Sequence, residues 1–233
     1  CEIRAITKSD LADPQPAAAA AAELLPGAEL VPVSARTGAG LDELTAALDR
    51  VAASSFSRAD QPGATRLHID RVFTIRGAGT VVTGTLWSGS IARGDQLTIV
   101  PGDRPTRVRA VQVHDQPVER ARAGQRVAVN LTGVQRDEVT RGDLLTDSAE
   151  LRATYLIDAE LEIDAEYGDR VQVHHGTRET PARLASLGGR FWQLRLEQPL
   201  IPVQGDRLVI RRISPPDTLG GGTVLDPHPR KHG

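Results

Sequence analysis

Two short stretches of the chain carry residues of the right types and spacing to read a guanine base. The first is TKSD, residues 7–10. Guanine presents N1–H and N2–H2 donors side by side, and a single carboxylate accepts both as a charge-assisted bidentate pair. Adenine offers neither donor at that edge, so a buried Asp10 would be left unpaired against it and would reject it. Lys8 can lay its methylene stem along the base plane while its ammonium stays polar. The second stretch, VPVSARTGAG, brings Ser34 about 24 residues after Asp10. A Ser-Ala turn at the end of an adjacent parallel strand would aim the Ala35 amide at guanine O6, in the crevice at the carboxyl ends of the strands. Thr7, Lys8, Asp10, Ser34, Ala35 and Arg36 are therefore the candidate guanine-binding set. Alone, TKSD reads as a helix start preceded by a lysine. The second loop, at the matching separation, favours the base-reading alternative.

No G-x-x-x-x-G-K-[ST] motif occurs in the 233 residues. The nearest string, GAGT at 77–80, lacks the lysine and lies within a series of strands. Phosphoryl transfer depends on positioning and charge neutralisation by such a loop and its Mg2+, so the chain by itself is not expected to hydrolyse GTP, and no catalytic residue is assigned. The sequence contains no methionine, and it is expected to be a piece cut from a longer gene product.

The elements that must hold these loops follow from the pattern. IRAI is a short apolar strand. AAAAAAELL is a helix stopped by Pro26-Gly27, and LVPVSA is a second buried strand. The helix over TGAGLDELTAALDRVAAS sets Leu41, Leu44, Leu48 and Val51 on one face. Residues 1–58 thus read as the C-terminal end of a GTP-binding α/β domain, too short of strands to make a whole sheet. A polar linker, 59–65, follows. From Arg66 the texture changes to short β-rich runs separated by turn signals such as SGSIARGD and PGDRP. Two series of such runs predict two antiparallel barrels, at 66–147 and 148–226, because closure removes exposed edges. Residues 227–233 read as a linker to a further domain. The expected fold class is an α/β remnant followed by two antiparallel β-barrels, mainly β.

Composition narrows the function classes. Hydrophobic residues at 39% and charged residues at 25% describe an ordinary folded protein. No apolar run approaches the roughly 18 residues of a membrane span. The single cysteine, Cys1, excludes an internal disulfide framework and makes the cytoplasm the expected compartment. Net charge is −2 overall but −4, +3 and −1 across residues 1–62, 63–147 and 148–233. The middle third permits an RNA contact without requiring one. Adjacent on one strand, His174 and His175 cannot chelate a metal from one face, so they are expected to be structural or surface residues, and no metal site is assigned. Phe191-Trp192 is expected to pack a barrel rather than stack on RNA.

IDRVFTIRGAGTVVTGTLWSGSIARGDQL, with VRAVQVHDQPVERARAGQRVAVNLTGV and RGDLL, resembles the second domain of translational GTPases, and most of all that of selenocysteine-specific elongation factors. VQVHHGTRETPARL and QLRLEQPLIPVQGDRLVIRRISPPDTLGGGTVLDP resemble the third domain of the same family, and the TKSD and SAR elements fit it as well. That family delivers selenocysteyl-tRNA to the ribosome at recoded UGA codons. The resemblance implies a monomer with GTP/GDP and Mg2+ as cofactors, the Mg2+ ligands lying outside this chain. It also implies tRNA contact through the barrels and an mRNA hairpin gripped by a further domain. It further implies that Asp70, Arg71 and Arg126 line the pocket for the aminoacyl group.

Chemistry supports that implication. A selenol is a stronger acid than a thiol, whose pKa is about 8.5, so it is an anion at neutral pH where serine and cysteine esters are mainly neutral. A pocket holding uncompensated arginine favours the anion. Without the resemblance, the same three residues read as solvated strand charges or a local ion pair. Asp70 and Arg71 would also point to opposite faces of a regular strand. The alternatives are another translational GTPase, such as an elongation factor Tu relative or a tRNA-binding initiation factor, and a non-enzymatic double-barrel RNA-binding module.

Overall fold

A computed structural model describes residues 2–54, 63–75, 77, 79–166 and 168–232. They fall into two compact units, the first ending with the helix that closes at Ser54 and the second starting from Gly63. In the first unit, β1 (Ile3–Ile6) pairs in parallel with β2 (Glu29–Pro32), Ile3 opposite Glu29 and Ile6 opposite Pro32. The connection between them is α1 (Gln15–Leu24), which has a proline in its first turn and gives way to Pro26 and Gly27 at its end. Helix α2 (Leu41–Ser54) follows β2, with Asp42 and Glu43 in its first turn, where they complement the helix dipole. Val31, Val33 and Ala47 are buried together, with Ile3 and Leu44 packed against them. Of the apolar face expected on α2, Leu44 joins this cluster while Leu48 stays 53% exposed, because two strands offer a narrow surface. Gly40 (φ 73°) makes the β2–α2 junction possible, since a Cβ there would overlap the Pro32 carbonyl.

The second unit holds both barrels. The first is built from β3 (Arg66–Ile75), β4 (Gly79–Ser88), β5 (Ser90–Ala92), β6 (Gln96–Val100), β7 (Arg104–Val113), β8 (Gln116–Val118), β9 (Arg120–Arg122), β10 (Arg126–Thr132) and β11 (Leu144–Thr146). The order β10-β4-β3-β11-β6-β7 closes through a β10–β7 pairing. β8 extends β7, and β5 pairs with β9 at the side. Alternate residues fill the interior, among them Leu67, Ile69, Val82, Leu86, Val127 and Val129. The second barrel is β12 (Thr154–Ile163), β13 (Arg170–His175), β14 (Arg178–Gly188), β15 (Phe191–Leu200), β16 (Arg207–Arg212) and β17 (Asp217–Asp226), closed in the order β12-β15-β14-β13-β16-β17. Its core includes Ile157, Leu161, Val173, Leu184, Trp192 and Ile210, whereas Phe191 faces out. Burying each such side chain contributes about 1.5–3 kcal/mol.

The glycine-rich stretch TLGGGTVLD, within the second expected barrel, lies in its closing strand β17, paired on both edges with β12 and β16. Its glycines fit because Cβ atoms at Gly220 and Gly222 would overlap the carbonyls of Glu162 and Glu160 on β12. The tail beyond it also lies on the barrel. Gln193 donates to the Arg230 carbonyl (3.0 Å) and accepts from the His232 amide (3.2 Å), and the His232 ring meets Asp158 at 2.8 Å.

Candidate functional site

Parallel pairing of β1 and β2 puts both candidate guanine loops at the same end of the two strands. The Val33 amide donates to the Ile6 carbonyl (2.8 Å), and the Ser9 amide donates back to Val33 (3.2 Å), so the two chains run on together past the strand ends. Lys8 takes a left-handed backbone conformation (φ 61°), which turns the chain so that Asp10 faces the second loop. The Ser34 hydroxyl, fully buried, donates to Asp10 Oδ1 at 2.6 Å. Arg36 donates to Oδ2 from Nε (2.9 Å), with Nη2 at 2.7 Å. Together, the Ser34 hydrogen bond foremost and Arg36 behind it hold the Asp10 carboxyl below its ordinary pKa despite desolvation. The Asp10 side chain is 12% exposed and that of Arg36 73% exposed. Thr7, Lys8 and Ala35 are exposed around them. The six candidate residues therefore occupy one loop cluster, in which Asp10 is aimed by a buried hydroxyl and covered by the exposed Arg36 guanidinium.

The second cluster lies on the outer surface of the first barrel. In β3, Leu67 and Ile69 enter the core, but the next residue packed against it is Val72. The two-residue alternation slips because of a β-bulge between Ile69 and Arg71, where Ile69 pairs with Gly84 and Arg71 with Thr83. Asp70 is the extra residue, and Asp70 and Arg71 both fall on the outward side. The bulge removes the conflict expected for a regular strand. Arg126, at the start of β10, forms a bidentate pair with Asp70, through Nη1 to Oδ2 and through Nη2 to Oδ1 at 3.0 Å. The Thr83 hydroxyl donates to the same Oδ1 at 2.9 Å. Burial pushes the Asp70 carboxyl up, but the Arg126 and Thr83 hydrogen bonds and the Arg71 charge outweigh it and leave the pKa lowered. Arg126 is thus compensated rather than free, a correction to the expectation of an uncompensated arginine. With Arg71 alongside, two guanidinium groups face one carboxylate, and the cluster keeps an excess of one positive charge.

Comparison with known proteins places the chain in a family. Residues 152–231 match the family described as selenocysteine-specific elongation factor, beta-barrel domain, and residues 79–146 match elongation factor Tu domain 2. The selenocysteine-specific elongation factor of Desulfomicrobium baculatum is 39% identical over 225 residues, covering 91% of this chain and 35% of that protein. The Escherichia coli factor of the same description is 37% identical over 171 residues, 72% of this chain and 28% of that protein. The chain belongs to the selenocysteine-specific elongation factor family. A crystal structure of a bacterial selenocysteine-specific elongation factor superposes with a TM-score of 0.90 at 31% identity, over 99% of this chain and 40% of that one. The Methanococcus maripaludis factor in complex with the GTP analogue GPPNHP gives 0.87 at 26% identity, over 98% of this chain and 59% of that one. The chain spans about a third of the length of the first two curated relatives. Among the described residues no helix is long and apolar enough to cross a membrane.

One further cluster escaped the sequence reading. At the junction between the barrels, Arg66 makes a bidentate pair with Asp206, and His175 Nε2 meets Asp206 Oδ2 at 2.8 Å. His68 and Trp87 pack beside them in a tilted arrangement with ring centroids 4.2 Å apart, and Arg66 lies over Trp87. His175 is structural, as expected of the pair; its neighbour His174 turns the other way, with Nδ1 3.3 Å from Glu179. Only the folded topology joins residues 66, 68, 87, 175 and 206. In the sequence they are ordinary polar residues scattered over two strand series.

Proposed function

We propose that this chain is the guanine-reading end of a GTP-binding domain together with the two barrels of a factor that delivers selenocysteyl-tRNA to the ribosome at recoded UGA codons. In this reading the full-length protein is a GTPase. Its phosphate loop, its Mg2+ ligands and the domain that grips an mRNA hairpin lie outside these residues. Asp10 accepts the N1–H and N2–H2 donors of GTP or GDP, Lys8 covers the base, and the Ala35 amide meets O6. The donor set fits: Ser34 already holds the carboxylate in place, and the Arg36 guanidinium, a planar donor like the guanine edge, occupies the oxygen that guanine needs. Guanine binding therefore entails displacing Arg36 from Asp10.

Arg71 and Arg126 recognise the selenolate, and Asp70 sets how much positive charge they offer. The observation that carries this reading is the bulge in β3, which sets Asp70 and Arg71 on the same side as Arg126. One net positive charge matches a monoanion, whereas a neutral serine hydroxyl gains little from it. The barrels hold the acceptor end of the tRNA. Equilibrium binding of selenocysteyl-, cysteinyl- and seryl-tRNA to the full-length, GTP-loaded protein tests the proposal. A clear preference for selenocysteyl-tRNA is expected, and similar affinity for all three would turn the reading towards a general translational GTPase.

A further inference from the structure

We infer that Thr83 is a positioning residue of the anion pocket and that selectivity for a selenolate depends on its hydroxyl. The inference rests on the reading of Asp70, Arg71 and Arg126 as an aminoacyl site, and it adds a residue that carries no charge.

The Thr83 side chain contacts both Asp70 on β3 and Arg126 on β10. It sits on β4, directly opposite Arg71 in the β3–β4 register. Its hydroxyl donates to Asp70 Oδ1 at 2.9 Å, and its oxygen lies 3.4 Å from Arg126 Nη2, which also donates to Asp70 Oδ1. A hydroxyl has one donor and two acceptor sites. Once its hydrogen is committed to Asp70, its lone pairs are left for Arg126. The two contacts are of opposite polarity, so Thr83 fixes the carboxylate and the guanidinium relative to each other.

The bulge makes this support necessary. Asp70 is the unpaired residue of β3, the point at which the ladder holds the backbone least. Arg126 begins β10 with a half-exposed side chain, 51% accessible. A carboxylate on a bulge and an arginine at a strand end have many ways to pair, and few leave guanidinium N–H groups aimed at a ligand. Two of the five N–H donors of Arg126 go to Asp70, and the Thr83 contact limits the guanidinium orientations in which other donors are left for a ligand. A valine at 83 keeps the β-branched shape that β4 packs and deletes both polar contacts. A serine keeps the contacts and loses only a methyl group.

The test uses the full-length protein with GTP bound and reads dissociation constants for selenocysteyl-tRNA and seryl-tRNA side by side. Thr83→Val is expected to weaken selenocysteyl-tRNA binding about tenfold, the scale of a hydrogen bond to a charged group, while seryl-tRNA binding stays within about twofold. Thr83→Ser is expected to restore the wild-type ratio, which a purely structural role for the threonine would not require. Arg126→Met is the control for the site itself and should collapse the ratio. If Thr83→Val leaves the ratio unchanged while Arg126→Met abolishes it, the pocket stands and the positioning role falls. Equal weakening of both tRNAs by Thr83→Val, with a lowered melting temperature, also overturns the role. If neither variant changes the ratio, the aminoacyl reading itself is wrong.

Discussion

Two aspartate–arginine pairs of the second unit sit in opposite settings. Asp206 and Arg66 meet at the junction of the barrels with side chains 9% and 10% exposed, while Asp70 and Arg126 meet on the outer surface at 21% and 51%. Asp206 also takes the His175 ring and the Val203 amide (3.0 Å), and His175, Arg66 and that amide override its burial to hold it far below the ordinary carboxylate range. Every edge of that carboxylate is spoken for, and Trp87 covers the guanidinium. Asp70 has a bidentate arginine and one hydroxyl, and its arginine keeps an open side. The buried pair is enclosed where the barrels meet, whereas the exposed pair next to a second arginine is open to a third party.

That contrast can be broken most forcefully at Asp206. Asp206→Ala leaves Arg66 and His175 buried without their partner, and breaking a buried pair costs about 3–5 kcal/mol. The loss would appear as a lower urea midpoint. Asp70→Ala should cost less than about 1 kcal/mol, as surface pairs do. Equal losses at the two positions would erase the distinction.

A pH titration sharpens it. His68 is held down to about 3 by burial first, then by the nearby charges of His175 and Arg66, with Asp206 opposing. Its folded form stays neutral while the unfolded chain takes up a proton below about 6.5. Stability is therefore full above that value and falls as pH drops from 6.5 towards 3, by roughly 4 kcal/mol at the low end. Urea unfolding at stepped pH should show this slope, and His68→Gln should flatten it. Asp70, with its lowered pKa, contributes stability that is full above the ordinary carboxylate range and is lost as pH falls through and below it, so it leaves the slope between 6.5 and about 5 unchanged.

On the exposed side, Arg126→Met should weaken selenocysteyl-tRNA binding by about 1.5–3 kcal/mol, the range for a hydrogen bond to a charged group, with little change in urea stability. The smallest effect belongs to the third carboxylate–arginine contact, Asp10 with Arg36. Arg36→Met keeps the stem that can lie against a base and removes the competing donors. Because the pair lies at the surface, where such contacts are weak, GDP affinity of the full-length protein should rise only a few-fold by fluorescence titration. A fall would show that Arg36 supports the base instead of covering Asp10.

Much of this was legible in the sequence because it is local. Alternating apolar residues such as Leu67, Ile69, Val127 and Val129 announce strands, and TKSD and SAR announce strand-end loops that the parallel pairing brings together. What escaped was set by approach between distant segments. Three consecutive glycines lower strand propensity, yet β17 needs them where neighbouring carbonyls come close. The bulge at Asp70 has no signature in IDRVF, because it is a property of register between β3 and β4. The Arg66–Asp206 pair spans 140 residues, so nothing at either position hints at the other.

The central claim is that a pocket with one surplus positive charge selects an anionic side chain. Its most direct test is the ratio of seryl-tRNA to selenocysteyl-tRNA dissociation constants, measured with the full-length protein as pH is lowered until the selenolate takes up a proton. Asp70 stays ionised below its ordinary pKa, so a falling preference would report the ligand's charge. The expected result is a ratio that is large at neutral pH and declines towards one on acidification. A ratio that holds steady through protonation of the selenolate would contradict recognition by charge.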